Sequence, residues 1–166
     1  ALTFINKNDL LVSTKKGKLW LVKEDGAKFL IDGVPDITYG GQGGLGDILP
    51  HPDFSQNSLL YLSFVASENN GRTRGAKVIR AKLENRKLIN HQLIWEQLPQ
   101  TTGRGHFSHR LAFGSVGSPH NGMLFISSGD RQIMDPAQTL DNNLGKIIRL
   151  HDDGRIPNDN PFKEMG

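Results

Sequence analysis

Short apolar runs rich in β-branched and aromatic residues, each stopped after a few positions by turn residues, limit what this 166-residue chain can fold into. Runs at 2–5, 10–13, 19–23 and 29–31 are separated by Asn6-Lys7-Asn8, by Lys16-Gly17 and by Asp25-Gly26. This spacing of roughly 8 to 10 residues predicts four antiparallel strands joined by tight turns. A second round follows at 47–49, 59–65, 76–83 and 88–95, and a third begins at 109–113, 123–127 and 146–150. Only 137–144 suits a short helix. The 19 glycines and 8 prolines make up about 16 per cent of the chain, against a usual value of roughly 12 per cent.

Four strands recurring about every 45 residues is the period of a propeller blade. A β-sandwich is the main rival, and closure separates the two, because a propeller needs about 4 to 8 blades to bury the faces of its sheets. At that period residues 1–166 supply roughly three to three and a half blades. The expected fold is all-β: a β-propeller of four-stranded antiparallel blades, present here as one partial domain of a larger ring. The turn-forming stretch Asn158-Asp159-Asn160-Pro161-Phe162 has no strand after it.

Composition excludes several classes. Cysteine is absent, so neither a disulfide framework nor a thiolate metal site is available. The net charge is +3 with the basic residues scattered; their densest group, Lys15, Lys16 and Lys18 around Gly17, reads as a solvated turn, and no nucleic-acid partner is expected. No apolar run reaches the roughly 18 residues of a membrane span, and Ala1-Leu2-Thr3-Phe4 lacks the basic start of a secretory leader.

Two glycine-rich stretches stand between the rounds. Gly40-Gly41-Gln42-Gly43-Gly44-Leu45-Gly46-Asp47 is neither helix nor strand interior, since each glycine costs about 1 kcal/mol of helix stability and packs nothing. It shapes a loop from which Gln42 projects the one long polar side chain. The second is Gly103-Arg104-Gly105-His106-Phe107-Ser108-His109-Arg110-Leu111, again loop glycines ahead of a strand. Of the other histidines, His51 precedes Pro52 in a turn where Asp53 is expected to bond local backbone, and His91, His120 and His151 form no pair with zinc-site spacing. Trp20 and Trp95 fall in strands, as packing residues do. Asp152-Asp153-Gly154 reads as a hairpin turn rather than a calcium loop.

In order along the chain come Gly-Gln-Gly-Gly-Leu (41–45), His-Pro-Asp-Phe (51–54), His-x-x-x-Arg-Leu (106–111), Ser-Gly-Asp-Arg (128–131), Leu-Gly-Lys-x-x-Arg-Leu (144–150) and Ile-Pro-x-Asp-Asn-Pro-Phe (156–162). This ordered set resembles the soluble PQQ-dependent sugar dehydrogenases, the glucose and sorbosone dehydrogenase family that includes the aldose sugar dehydrogenases. The resemblance implies a six-bladed propeller and oxidation of the anomeric hydroxyl of an aldose to a lactone, with PQQ as hydride acceptor. It puts the catalytic base on His106 and cofactor contacts on Gln42, Arg131 and a glutamine after the Ser-Gly-Asp strand, taken as Gln138 with Gln132 behind it. It also implies calcium, with ligands on blades this chain does not contain, an external electron acceptor, and a periplasmic or secreted location. On this reading these residues alone do not oxidise sugar.

Two positions depart from the family pattern. Gly105 stands where glucose-specific members carry an acid, implying a looser sugar preference. His109 stands where glycine is usual, either crowding the pocket or pointing away along the strand. A non-catalytic binding propeller and a calcium-dependent lactonase-type hydrolase are the alternatives.

Overall fold

The alternating runs build eleven strands in three antiparallel sheets, in a computed structural model that describes residues 1–163. Residues 164–166, the end of the expected unit, lie outside the described residues. The first sheet is β1 (Leu2–Phe4), β2 (Leu10–Ser13), β3 (Leu19–Val22) and β4 (Lys28–Ile31), paired in chain order. The second is β5 (Leu45–Pro50), β6 (Leu59–Glu68), β7 (Thr73–Glu84) and β8 (Lys87–Glu96), again in chain order. The third holds β9 (Ser108–Phe113), β10 (Leu124–Ser128) and β11 (Lys146–Leu150). Long connections at 97–107, 129–145 and 151–163 use up chain without adding strands, so three sheets stand where three to three and a half units were expected. Residues 137–144 form no α-helix; a single 3-10 turn, Asp135–Gln138, begins just before them.

The sheets stack face to face. Leu60, Leu62 and Phe64 of β6 pack with Leu11, Leu19 and Ile31 of the first sheet. Tyr61 of β6, with Val78 and Trp95, packs on Leu111, Leu124 and Ile126 of the third. The middle sheet is thus covered on both faces, and this two-sided burial is why residues 59–65 read as an almost unbroken apolar run. A two-layer sandwich has no sheet of that kind.

β5 lies against both β1 and β9, so the first strands of the three sheets form a common inner edge. Since those strands run the same way, the loops entering β5 and β9 and the loop leaving β10 meet at one end of it. At the other end the sheets are latched. The Tyr61 hydroxyl donates to the Asp152 carbonyl (2.7 Å), and Arg80 pairs with the Asp152 carboxylate (3.1 Å). Burial pushes the Tyr61 phenol up to about 12. At His51 the expected roles are exchanged: the imidazole Nδ1 accepts the Asp53 N–H (2.9 Å), so the ring, not the carboxylate, bonds the local backbone. The Asp152-Asp153-Gly154 stretch is a turn, closed by the Gly154 N–H donating to the His151 carbonyl (3.0 Å).

Candidate active site

The loop of residues 103–107 crosses the glycine loop of residues 40–44. The Gln42 N–H donates to the Arg104 carbonyl (2.7 Å), and the Gln42 side-chain Oε1 accepts the His106 N–H (2.7 Å). From the third sheet, the Gly129 N–H donates to the Phe107 carbonyl (3.1 Å), and the Arg131 N–H to the His106 carbonyl (3.3 Å). Position 129 has to be glycine, because a Cβ there would fall on the His106 carbonyl. Three segments far apart in the chain are thereby knitted around one histidine.

His106 is half exposed, and its Nδ1 lies 2.8 Å from Oδ1 of Asp130. The Gln132 N–H, donating to the same Oδ1 (3.0 Å), and then the imidazole hold Asp130 below the usual carboxylate range. An ionised Asp130 accepts, so Nδ1 carries a proton, and in the neutral tautomer the lone pair is then on Nε2. Among the described residues neither His106 Nε2 nor the Gln42 NH2 group makes a hydrogen bond, and both residues are exposed. A base oriented by a carboxylate beside a free amide donor can take a proton from a bound hydroxyl and hold the molecule that bears it.

Arg131 is placed otherwise than its expected role requires. It is only 3% exposed, lies over the Phe107 ring (3.7 Å to the centroid), and donates to the carbonyls of Gly105 (2.9 Å), Gly103 (3.1 Å) and Arg74. Burial pulls its pKa down to about 10, leaving it charged at neutral pH. The guanidinium braces the loop that carries His106 and has no fork free for a ligand carboxylate. Gln138 is exposed on the 3-10 turn and bonds none of Gln42, His106 or Asp130. Gln132 is the glutamine that reaches the site: its carboxamide lies where a side chain on residue 105 would begin, so Gly105 leaves room for it.

His109 is turned inward at the floor of the inner edge. Its ring is buried under β5, with Nδ1 2.8 Å from Ser63 Oγ, and a Cβ on Gly46 would collide with it. The imidazole fills the space beneath Gly46, and desolvation lowers its pKa to about 4. Beside it Asp47 accepts the Leu111 N–H (2.9 Å) and faces Arg110 (3.3 Å), tying β5 to β9. A cleft of about 310 Å³ runs along this inner edge from Gln42 past Lys15 to His109 and Arg110.

Two residues escaped the sequence reading. Asp130 stands in the Ser-Gly-Asp-Arg motif, and a carboxylate directly after a strand-ending glycine was the available signal. Gln97 is fully buried; its Oε1 accepts the Ala76 N–H (3.3 Å), and its Nε2 donates to Ser128 Oγ (2.9 Å) and the carbonyls of Gly129 (3.1 Å) and Phe107 (3.3 Å). It joins the ends of β8 and β10 to the His106 loop. Its signal was weaker, a lone amide at the end of an apolar strand.

Stacked antiparallel sheets with an oriented histidine at the loop end of their inner edge define a β-propeller protein with a candidate polar active site. Comparison with known proteins agrees: a solved glucose dehydrogenase superposes with a TM-score of 0.90 at 34% identity, over 98% of this chain and 46% of that one. Residues 1–166 match the model of the glucose / sorbosone dehydrogenase family, and the chain belongs to that family. Aldose sugar dehydrogenase YliI of Escherichia coli is 36% identical over all of this chain and 44% of its own length. Quinoprotein glucose dehydrogenase B of Acinetobacter calcoaceticus is 25% identical over 96% of this chain and 40% of its own length. The chain thus spans less than half the length of these curated relatives.

Proposed function

We propose that the whole protein oxidises the anomeric hydroxyl of an aldose to the lactone, with PQQ as the hydride acceptor and His106 as the base. The Gln42–His106–Asp130 chain of hydrogen bonds carries this reading, because it backs an exposed imidazole with a carboxylate and sets it next to a side chain whose amide donor is free among the described residues. The names of the relatives, sugar dehydrogenases and a quinoprotein, support the substrate class and the cofactor.

The donor set suits a tricarboxylic quinone. The Gln42 NH2 group and the Arg104 guanidinium, exposed against Gly40 and without a carboxylate partner among the described residues, supply the charge-assisted and neutral hydrogen bonds its carboxylates need. PQQ, when bound, supplies the electrophilic carbonyl to which the sugar's hydride transfers. The protein's own work is to hold the sugar and to take its hydroxyl proton on Nε2 of His106. Asp130, through Nδ1, fixes the tautomer and steadies the charge that follows. Arg131 and Gln97 hold the loop in place. Among the described residues no group of three His, Asp or Glu side chains is placed to hold a metal ion.

The test is to add PQQ and aldoses to the whole protein and follow dye reduction. Sugar-dependent bleaching supports the reading. Lactone hydrolysis without any reduction would replace it with a hydrolase, and binding of PQQ with no turnover on any aldose would reduce it to a binding module.

A further inference from the structure

The basic turn that composition alone assigns to solvent lies on the rim of the candidate site. Lys15 Nζ donates to the Gly41 carbonyl, one residue from Gln42. Lys15 and Lys16 hold their ammonium groups 5.9 and 5.7 Å from the ring centroid of Tyr39, which is 55% exposed, and Lys18 lies 5.9 Å from that of Trp20. Among the described residues none of the three lysines has a carboxylate within 4.0 Å, whereas Lys23, Lys77, Arg80 and Arg149 elsewhere are all paired. Nearby, Asp47 faces Arg110 and Asp130 faces His106. One side of the mouth therefore carries three lysines without an ion-pair partner among the described residues, two of them beside an exposed tyrosine. Tyrosine is a residue type enriched at protein interfaces, and unpaired like charges held side by side cost stability unless a partner uses them.

We propose that this rim, Lys15, Lys16, Lys18 and Tyr39, is the docking surface for the electron acceptor, a one-electron haem protein with an acidic face. The inference rests on the proposed sugar oxidation. Each turnover leaves two electrons and two protons to be removed; the electrons pass singly to two oxidised haem proteins and the protons go to solvent. A carrier docked on the rim sits against the glycine loop that holds Gln42, which keeps the transfer distance short. Charge complementarity speeds the encounter and makes it salt-dependent.

Succinylated cytochrome c, which is acidic, and native cytochrome c, which is basic, provide matched probes. The cofactor-free whole protein is expected to bind the succinylated form at low salt, at least tenfold more tightly than the native form, with binding lost as salt is raised. Lys16→Glu with Lys18→Glu should abolish that binding. In the loaded enzyme the same double variant should slow reduction of succinylated cytochrome at least tenfold, yet leave reduction of an uncharged benzoquinone unchanged. Equal binding of the two cytochromes, or a double variant without effect, overturns the proposal. Ferricyanide reduction slowed as much as that of the cytochrome would show a rim that only attracts small anions, and overturns the protein partner. Binding of the acidic cytochrome by a protein that reduces no acceptor at all would instead sink the sugar oxidation.

Discussion

His106 and His109 lie three residues apart, one in the loop before β9 and one in β9 itself, and the fold gives them opposite environments. His106 is half exposed at the mouth with a carboxylate behind it; His109 is 7% exposed beneath a glycine with a serine hydroxyl beside it. Both have positive φ, 48° and 56°, and with Ser108, Arg131, Gln132 and Met134 they make up half of the twelve non-glycine residues in that region among the described residues. Four of the remaining six are asparagines, the residue type that most readily accepts this conformation. Strain of order 1 kcal/mol or more per residue is tolerated here because the crossing loops over-determine the backbone. The lesson is that residue type and chain position do not decide what a histidine does. Its access to solvent and the group behind its second nitrogen do.

The comparison breaks most easily at His106. His106→Ala in the whole protein is expected to lower kcat by about 10² to 10⁴, while its thermal midpoint and its affinity for PQQ stay near the parent values. Equal losses on His109→Ala would mean that the two roles have been assigned the wrong way round.

His109 should show itself in acid. Its folded pKa of about 4 lies below the roughly 6.5 of an unfolded histidine, so the unfolded chain takes up a proton first as pH falls. Stability is then full above about pH 6.5, falls by about 3 kcal/mol toward pH 4, and levels off below. His109→Asn should flatten that limb of a denaturant-midpoint profile.

Smaller effects sharpen the contrast. Gly46→Ala puts a methyl group into the His109 ring and should cost about 2 kcal/mol in urea unfolding, with little loss of kcat per folded molecule. Asp130→Ala removes the orienting carboxylate and should lower kcat by roughly ten- to a hundredfold with KM nearly unchanged, whereas Asp130→Asn, which keeps an acceptor oxygen, should recover part of that loss. A fall in KM-controlled binding without change in kcat would place Asp130 among substrate contacts instead.

Much of this was legible from the chain. All eleven strands among the described residues have bounds within three residues of where period and turns put them, because tight turns and two-sided burial leave a local signature in residues such as Asn6, Gly17 and the run 59–65. Gln42 and His106 were legible as members of glycine-rich loops, and the structure joins them by a hydrogen bond. Arg131, Gln138 and Gln132 were not separable, since the loop after Ser-Gly-Asp carries no periodicity. Only its folded path shows that Arg131 turns inward to three carbonyls, that Gln138 stays outside, and that Gln132 reaches the space left by Gly105.

By itself the sequence determined the sheets, their turns and the two loops from which a site is made, since strand alternation and glycine placement act between near neighbours. The tertiary structure alone decided which imidazole meets a carboxylate, which arginine is spent on backbone, and that Lys15 stands beside Gln42. Those outcomes depend on contacts between residues tens of positions apart, and such contacts form only when three stacked sheets bring their loops to one end.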